Sequence, residues 1–209
     1  MILRYKKMFS DKRIYIRILV SLITFLLLFF SVASVSYFLL PEGILKETNP
    51  LSNFSTSTDL IESTIQIFLY NSISVIVMSF ASLFAFSNRN DSFLSYGYLG
   101  LSTQFLINGI ILGTWSFSVT NQAAPSLTMR LLRTFDLFHR SGLWEMIGQL
   151  LIVAALARIS FIRSNRKEIE NTPFKEIRLS KAECLTIVSG LVLMFLGAFI
   201  ESYAIIYDR

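Results

Sequence analysis

From Ile18 to Leu40 the chain runs 23 residues without a charged side chain. A helix that crosses the hydrocarbon core of a bilayer needs about 20 apolar residues. Lipid offers the backbone no hydrogen-bond partners, so such a run must be helical. The apolar part of a cleaved signal peptide is shorter, about 7–15 residues. The run therefore predicts an uncleaved anchor over 18–40, preceded by a basic cytoplasmic tail over 1–17 that carries Arg4, Lys6, Lys7, Lys12, Arg13 and Arg17. Composition extends this to the whole chain. Of 209 residues, 53% are hydrophobic and 16% charged, against roughly 25% charged in a soluble domain. That is too little charge to cover a soluble surface.

Four further apolar stretches predict helices over Ile61–Phe86, Phe93–Val119, Leu143–Ile162 and Cys184–Tyr207. Pro41 and Gly43 close the first helix, and Glu42 to Asp59 reads as a loop. Ser87–Ser92 reads as a short turn. After Pro125, the residues Leu127, Leu131, Phe135 and Phe138 recur at helical spacing, with Arg130, Arg133 and Arg140 off that stripe. This predicts an amphipathic interfacial or re-entrant helix over 126–140, too charged to span. The expected fold is an all-α polytopic bundle with about five transmembrane helices. No internal repeat is evident.

Charge orients it. With the N-terminus inside and five crossings, 14 of the 19 basic residues fall inside, including the run Arg158 to Lys181. The outside keeps Lys46, Arg130, Arg133, Arg140 and Arg209. The positive-inside rule favours this arrangement and places the C-terminus outside. Tyr37, Trp115, Trp144, Tyr203 and Tyr207 then lie near the outer interface, and Tyr15, Tyr96 and Tyr98 near the inner one. The expected location is the cell membrane, multi-pass. The net charge of +5 is spent flanking apolar runs, so nucleic acid is not an expected partner.

Chemistry is sparse. One cysteine, Cys184, and one histidine, His139, predict no disulfide, no metal site and no Cys–His pair. There is no HExxH, no GxSxG and no Walker motif, so neither catalytic residues nor a cofactor are expected. Ionisable groups within a membrane are costly and usually face protein or water. Glu145 and Glu201 both fall at the outer level of their helices, beside Arg130, Arg133, His139 and Arg140. The expectation is that the 126–140 segment packs on those helix ends and neutralises the glutamates; the alternatives are that each carboxylate simply reaches the headgroups or that the pair serves catalysis or proton transfer. Asn71 and Asn108 are intramembrane polar residues able to hydrogen-bond across helices. Gly109 and Gly113 form a GxxxG that lets helix backbones approach closely, within the bundle or between copies.

Taken in order, these features resemble the stage II sporulation protein M family of bacterial and archaeal membrane proteins. Phe68-Leu69-Tyr70-Asn71 matches its first element and Ile107-Asn108-Gly109-Ile110-Ile111-Leu112-Gly113 its second. Ser141-Gly142-Leu143-Trp144-Glu145 is similar to its His-Gly-x-x-Glu element, with Ser141 where the family has histidine. Ala198-Phe199-Ile200-Glu201 is similar to its closing element. The resemblance covers about residues 61–207. It implies a non-enzymatic scaffold or partner subunit of a membrane complex. The implied partners are the bilayer and other membrane proteins, such as cell-wall hydrolases or an ABC ATPase or permease, with a homo-oligomer as a further arrangement. The alternative is a permease-like or accessory subunit of an ABC-type export or immunity system for a bacteriocin or other hydrophobic peptide.

Overall fold

The computed structural model describes residues 7–46, 57–88, 92–117, 124–139, 142–164, 169–171 and 178–207. Helix α1 (Ile14–Leu39) is followed by α2 (Leu60–Ala81), the hairpin β1 (Phe84–Asn88) and β2 (Ser92–Ser95), and α3 (Gly97–Thr114). Two short helices, α4 (Leu127–Leu132) and α5 (Thr134–Phe138), lead to α6 (Leu143–Leu156). The hairpin β3 (Ile162–Ser164) and β4 (Ile169–Asn171) then connects to α7 (Lys181–Tyr207). Three helices, α1, α2 and α7, are long and apolar enough to cross a membrane, at 26, 22 and 27 residues. The molecule is mostly helical, as expected.

This agrees with a helical bundle, which carries one addition: the hairpins join into a small four-stranded sheet of order β2-β1-β3-β4. Phe84 pairs with Ile162 in the parallel β1–β3 ladder, and each hairpin is antiparallel. The segments α2–β1–β2–α3 and α6–β3–β4–α7 share one element order. Ser82 and Ser160 mark the join. The Ser82 N–H and hydroxyl both donate to the Met78 carbonyl, at 2.9 Å each, which closes α2. The Ser82 carbonyl accepts from the Ser160 hydroxyl at 3.3 Å, and the Leu83 carbonyl accepts from the N–H groups of Phe161 and Ile162. Phe-Ala-Phe continues the hydropathy of α2, so composition alone reads it as helix.

The helix ends shift accordingly. The second helix stops at Ala81 rather than Phe86, and the third covers Gly97–Thr114 rather than Phe93–Val119. Trp115 ends α3 in the left-handed region at φ 54°, an uncommon conformation for a residue with a Cβ. The fourth ends at Leu156 rather than Ile162. The last starts at Lys181, three residues before the expected Cys184, because of a capping box. Ser180 Oγ accepts from the Glu183 N–H (3.2 Å), and Glu183 Oε2 accepts from the Ser180 N–H (2.8 Å), satisfying two otherwise orphaned donors. The 126–140 stretch is two helices broken at Arg133 rather than one.

Helix α6 holds the centre. Ten of its fourteen residues are buried, whereas the long helices bury 17–28% of their apolar windows. One side of α6 meets α1 and α3 through Met146, Leu150 and Val153, packed with Phe25, Phe29 and Phe105. The Phe25 and Phe105 rings stack at 5.2 Å. The other side meets α2 and α7 through Ile152 and Leu156, with Val75 and Met194. At 1.5 Å per residue α6 is about 21 Å long, shorter than a hydrocarbon core of about 30 Å. A helix wrapped by protein need not match that thickness.

Between apolar helices in lipid, close packing takes over the role that water exclusion plays in soluble cores. A Cβ on Gly148 would lie 2.5 Å from the Gly190 carbonyl oxygen, and one on Gly190 would lie 2.6 Å from that of Gly148. The α6 and α7 backbones therefore touch at a two-glycine crossing. Gly109 and Gly113 do the same against α1, where a Cβ would strike the Phe29 and Ala33 carbonyls. The GxxxG face is thus used inside the chain.

Candidate functional site

Buried polar groups gather at two ends of the bundle. At the sheet end, Arg17 of α1 is fully buried and donates from Nη2 to Glu183 Oε1 of α7 at 2.5 Å. The same Glu183 closes the capping box, so one carboxylate orders the start of α7 and fastens it to α1. Arg17 Nε and Nη1 have no partner among the described residues. Nearby, buried Tyr98 donates to the Phe9 carbonyl at 3.4 Å.

At the opposite, distal end, Arg130 is the clamp. It is 1% exposed. Nε donates to the Pro125 carbonyl (2.7 Å), Nη1 to the Gly113 carbonyl, and Nη2 to Glu42 Oε1 (2.5 Å). Its guanidinium lies 4.7 Å from the Tyr37 ring centroid and 5.6 Å from that of Trp115. One cation thereby ties the ends of α1 and α3 to α4. This corrects the expected pairing: Arg130 neutralises Glu42, not Glu145 or Glu201. Arg133 is exposed and makes no ion pair among the described residues. His139 stacks on Phe135, with ring centroids 5.4 Å apart, and its carbonyl accepts from Trp144 Nε1 at 3.0 Å. Arg140 lies outside the described residues.

Glu145 sits in the first turn of α6 and is 2% exposed. Neither carboxylate oxygen has a full hydrogen bond among the described residues, although the backbone N–H groups of Gly142 and of Glu145 itself interact with the carboxylate. The carboxylate rests against α7 at Gly197, where a Cβ would fall 2.9 Å from Glu145 Cδ and 3.0 Å from Oε1. Glu201 is half-buried one turn further along α7, within electrostatic range of Glu145. Gln149, one turn along α6 from Glu145, is 1% exposed, and neither atom of its amide head has a partner among the described residues. Ser202 is fully buried with its hydroxyl unpaired among the described residues.

The asparagines do not join this cluster. The Asn108 amide donates to the Gln104 carbonyl of its own helix at 3.0 Å, and Asn71 is half-buried on α2. The structure thus sets Glu145 against α7 at Gly197 with Glu201 within electrostatic range, and shows two further buried, unpartnered polar groups on the same helices, Gln149 and Ser202, which sequence reasoning missed. The i, i+4 spacing of Glu145 and Gln149 was the available signal. Ser180-x-x-Glu183 was the signal for the capping box, though nothing local pointed Glu183 at Arg17.

No protein-family model matches the chain, and neither the curated proteins nor the solved structures yielded a significant match.

Proposed function

We propose that the chain is a five-span, non-enzymatic membrane protein that acts as a scaffold or partner subunit of a bacterial membrane complex. The observation that carries this reading is the folding of both connections at one end into a single sheet. Loops that only set topology need no such order, and an ordered platform at the end of a bundle suits docking. In the proposed orientation the sheet end is cytoplasmic, where the basic residues gather. The long helices turn Leu27, Phe38, Ile73, Phe80, Leu185 and Val192 outward, as a lipid-facing surface requires. The resemblance to the stage II sporulation protein M family points the same way, although a shared family architecture does not by itself specify the partner.

Affinity purification of the full chain from its native membrane in mild detergent tests the proposal. A stoichiometric protein partner is expected, and substitution of β4, an edge strand, is expected to release it. Purification of the chain alone, in every mild detergent tried, would overturn the scaffold reading. A co-purifying ATPase would move the assignment to an export or immunity system.

A further inference from the structure

The sheet has two unlike faces. Strand register sets them: residues paired across a ladder point to the same side, and neighbours along a strand to opposite sides. One face carries Ala85, Phe93, Ser95 and Arg163. Ala85, Phe93 and Ser95 are buried, and the Arg163 guanidinium lies 4.2 Å from the Phe93 ring centroid. The other face carries Phe84, Phe86, Leu94, Ile162 and Ile169, with Ser164 and Asn171. At the β2 end Leu94 reaches the core. Toward β4 the face opens, and Ile169 is 70% exposed.

This open face continues the outward stripe of α2. Leu69, Ile73, Ile76 and Phe80 are exposed at helical spacing along that helix. The chain leaves the helix after Ala81, yet Phe84 takes the next place in the stripe, its ring edge-on to that of Phe80 at 5.7 Å. Phe80 is 65% exposed, and Ile162 stands beside Phe84 across the parallel ladder. An apolar surface that runs from a membrane-crossing helix onto a sheet face has lipid as its neighbour on both parts.

Three features set the depth. Lipid cannot satisfy the free N–H and C=O groups of a sheet edge, so the edge strands β2 and β4 cannot lie in the hydrocarbon core. The chain from Arg158 to Lys181 carries seven basic residues against Glu168, Glu170 and Glu176, a balance that suits phosphate headgroups. Tyr15 and Tyr96, near the starts of α1 and α3, are exposed at the same end, and such aromatic rings mark the membrane–water boundary.

We propose that the outer face of the sheet, through Phe84, Ile162 and Ile169, is seated in bilayer phospholipid at the boundary between headgroups and acyl chains. The sheet then anchors the bundle in that leaflet. The occupant is lipid rather than protein because the face is continuous with the outward surface of α2. The β4 edge stays in water, so a protein partner there is compatible with this seating. The inference needs α2 to cross the membrane and does not need the scaffold role.

Spin labels on single cysteines test this, in the full chain with Cys184 replaced by serine and reconstituted in phospholipid vesicles. Molecular oxygen concentrates among acyl chains and a neutral nickel chelate in water, so the ratio of their collision rates reads depth. For a face buried about 5–10 Å into the boundary, labels at Ile169→Cys and Phe84→Cys should give an oxygen-to-nickel ratio at least about threefold above that of Lys12→Cys. Lys12 is exposed on the N-terminal tail. If Phe84→Cys does not reconstitute, Ile162→Cys replaces it. A lower ratio at either position places the face in water, and one equal to that of Ile76→Cys in α2 places it in the core; both overturn the proposal. A label reached by neither reagent shows that protein covers the face, and overturns it equally.

Discussion

Two buried arginines show how differently a charge can be housed. Arg130 gives each nitrogen of its guanidinium a partner, with two carbonyls and one carboxylate, and adds two aromatic faces. Hydrogen bonds to charged groups contribute about 1.5–3 kcal/mol each. Arg130→Ala is therefore expected to cost at least about 3 kcal/mol, read as lost thermal stability in detergent. Glu42→Gln should cost under about 1 kcal/mol, because the Glu42 side chain is 65% exposed and exposed pairs contribute little. Arg17 has one hydrogen-bond partner, Glu183, and two unpaired nitrogens among the described residues. Removing one member of a buried pair typically costs about 3–5 kcal/mol, while replacing both with apolar residues is often close to neutral. Arg17→Met should thus destabilise strongly, and Arg17→Met with Glu183→Leu should recover much of the loss. A double variant worse than the single one would show that the pair is net stabilising.

The central element is short, polar on one face and almost enclosed. α6 reaches α7 through the Gly148–Gly190 contact, and that contact sets how near Glu145 comes to Gly197. Gly148→Leu or Gly190→Leu must push the helices apart, at a cost of the order of 1–3 kcal/mol for overpacking. The same substitution at Gly100, where a Cβ meets only the flexible Met78 side chain, should be milder. Retained thermal stability in Gly148→Leu would place the crossing elsewhere. The long helices were legible in sequence because hydropathy is local. Their ends were not: Phe84–Asn88 and Ile162–Ser164 each form a hairpin strand, and the two also pair with each other across the fold.

For the whole molecule, the alternating helix directions and the charge distribution make one expectation. In a chain with Cys184 replaced by serine, single cysteines at Asn90 and Arg166 should label only from the cytoplasmic side. Cysteines at Thr128 and Asp136 should label only from outside. Labelling of Asp136 and Asn90 from one side would remove the five-span topology. The sheet end and the Arg130 clamp would then need a common compartment, which the distribution of basic residues opposes.

The sequence by itself determined that the chain carries helices long and apolar enough to cross a membrane, and roughly where the three longest run, since hydropathy is a local property. It also singled out Glu145 and Glu201 by their cost in an apolar setting. Only the tertiary structure decided which charges meet. Arg17 and Glu183 are 166 residues apart and Arg130 and Glu42 are 88 apart. A step of one residue turns a helical side chain by about 100°. Partners therefore depend on the rotation and register of every helix at once, and no local pattern encodes them.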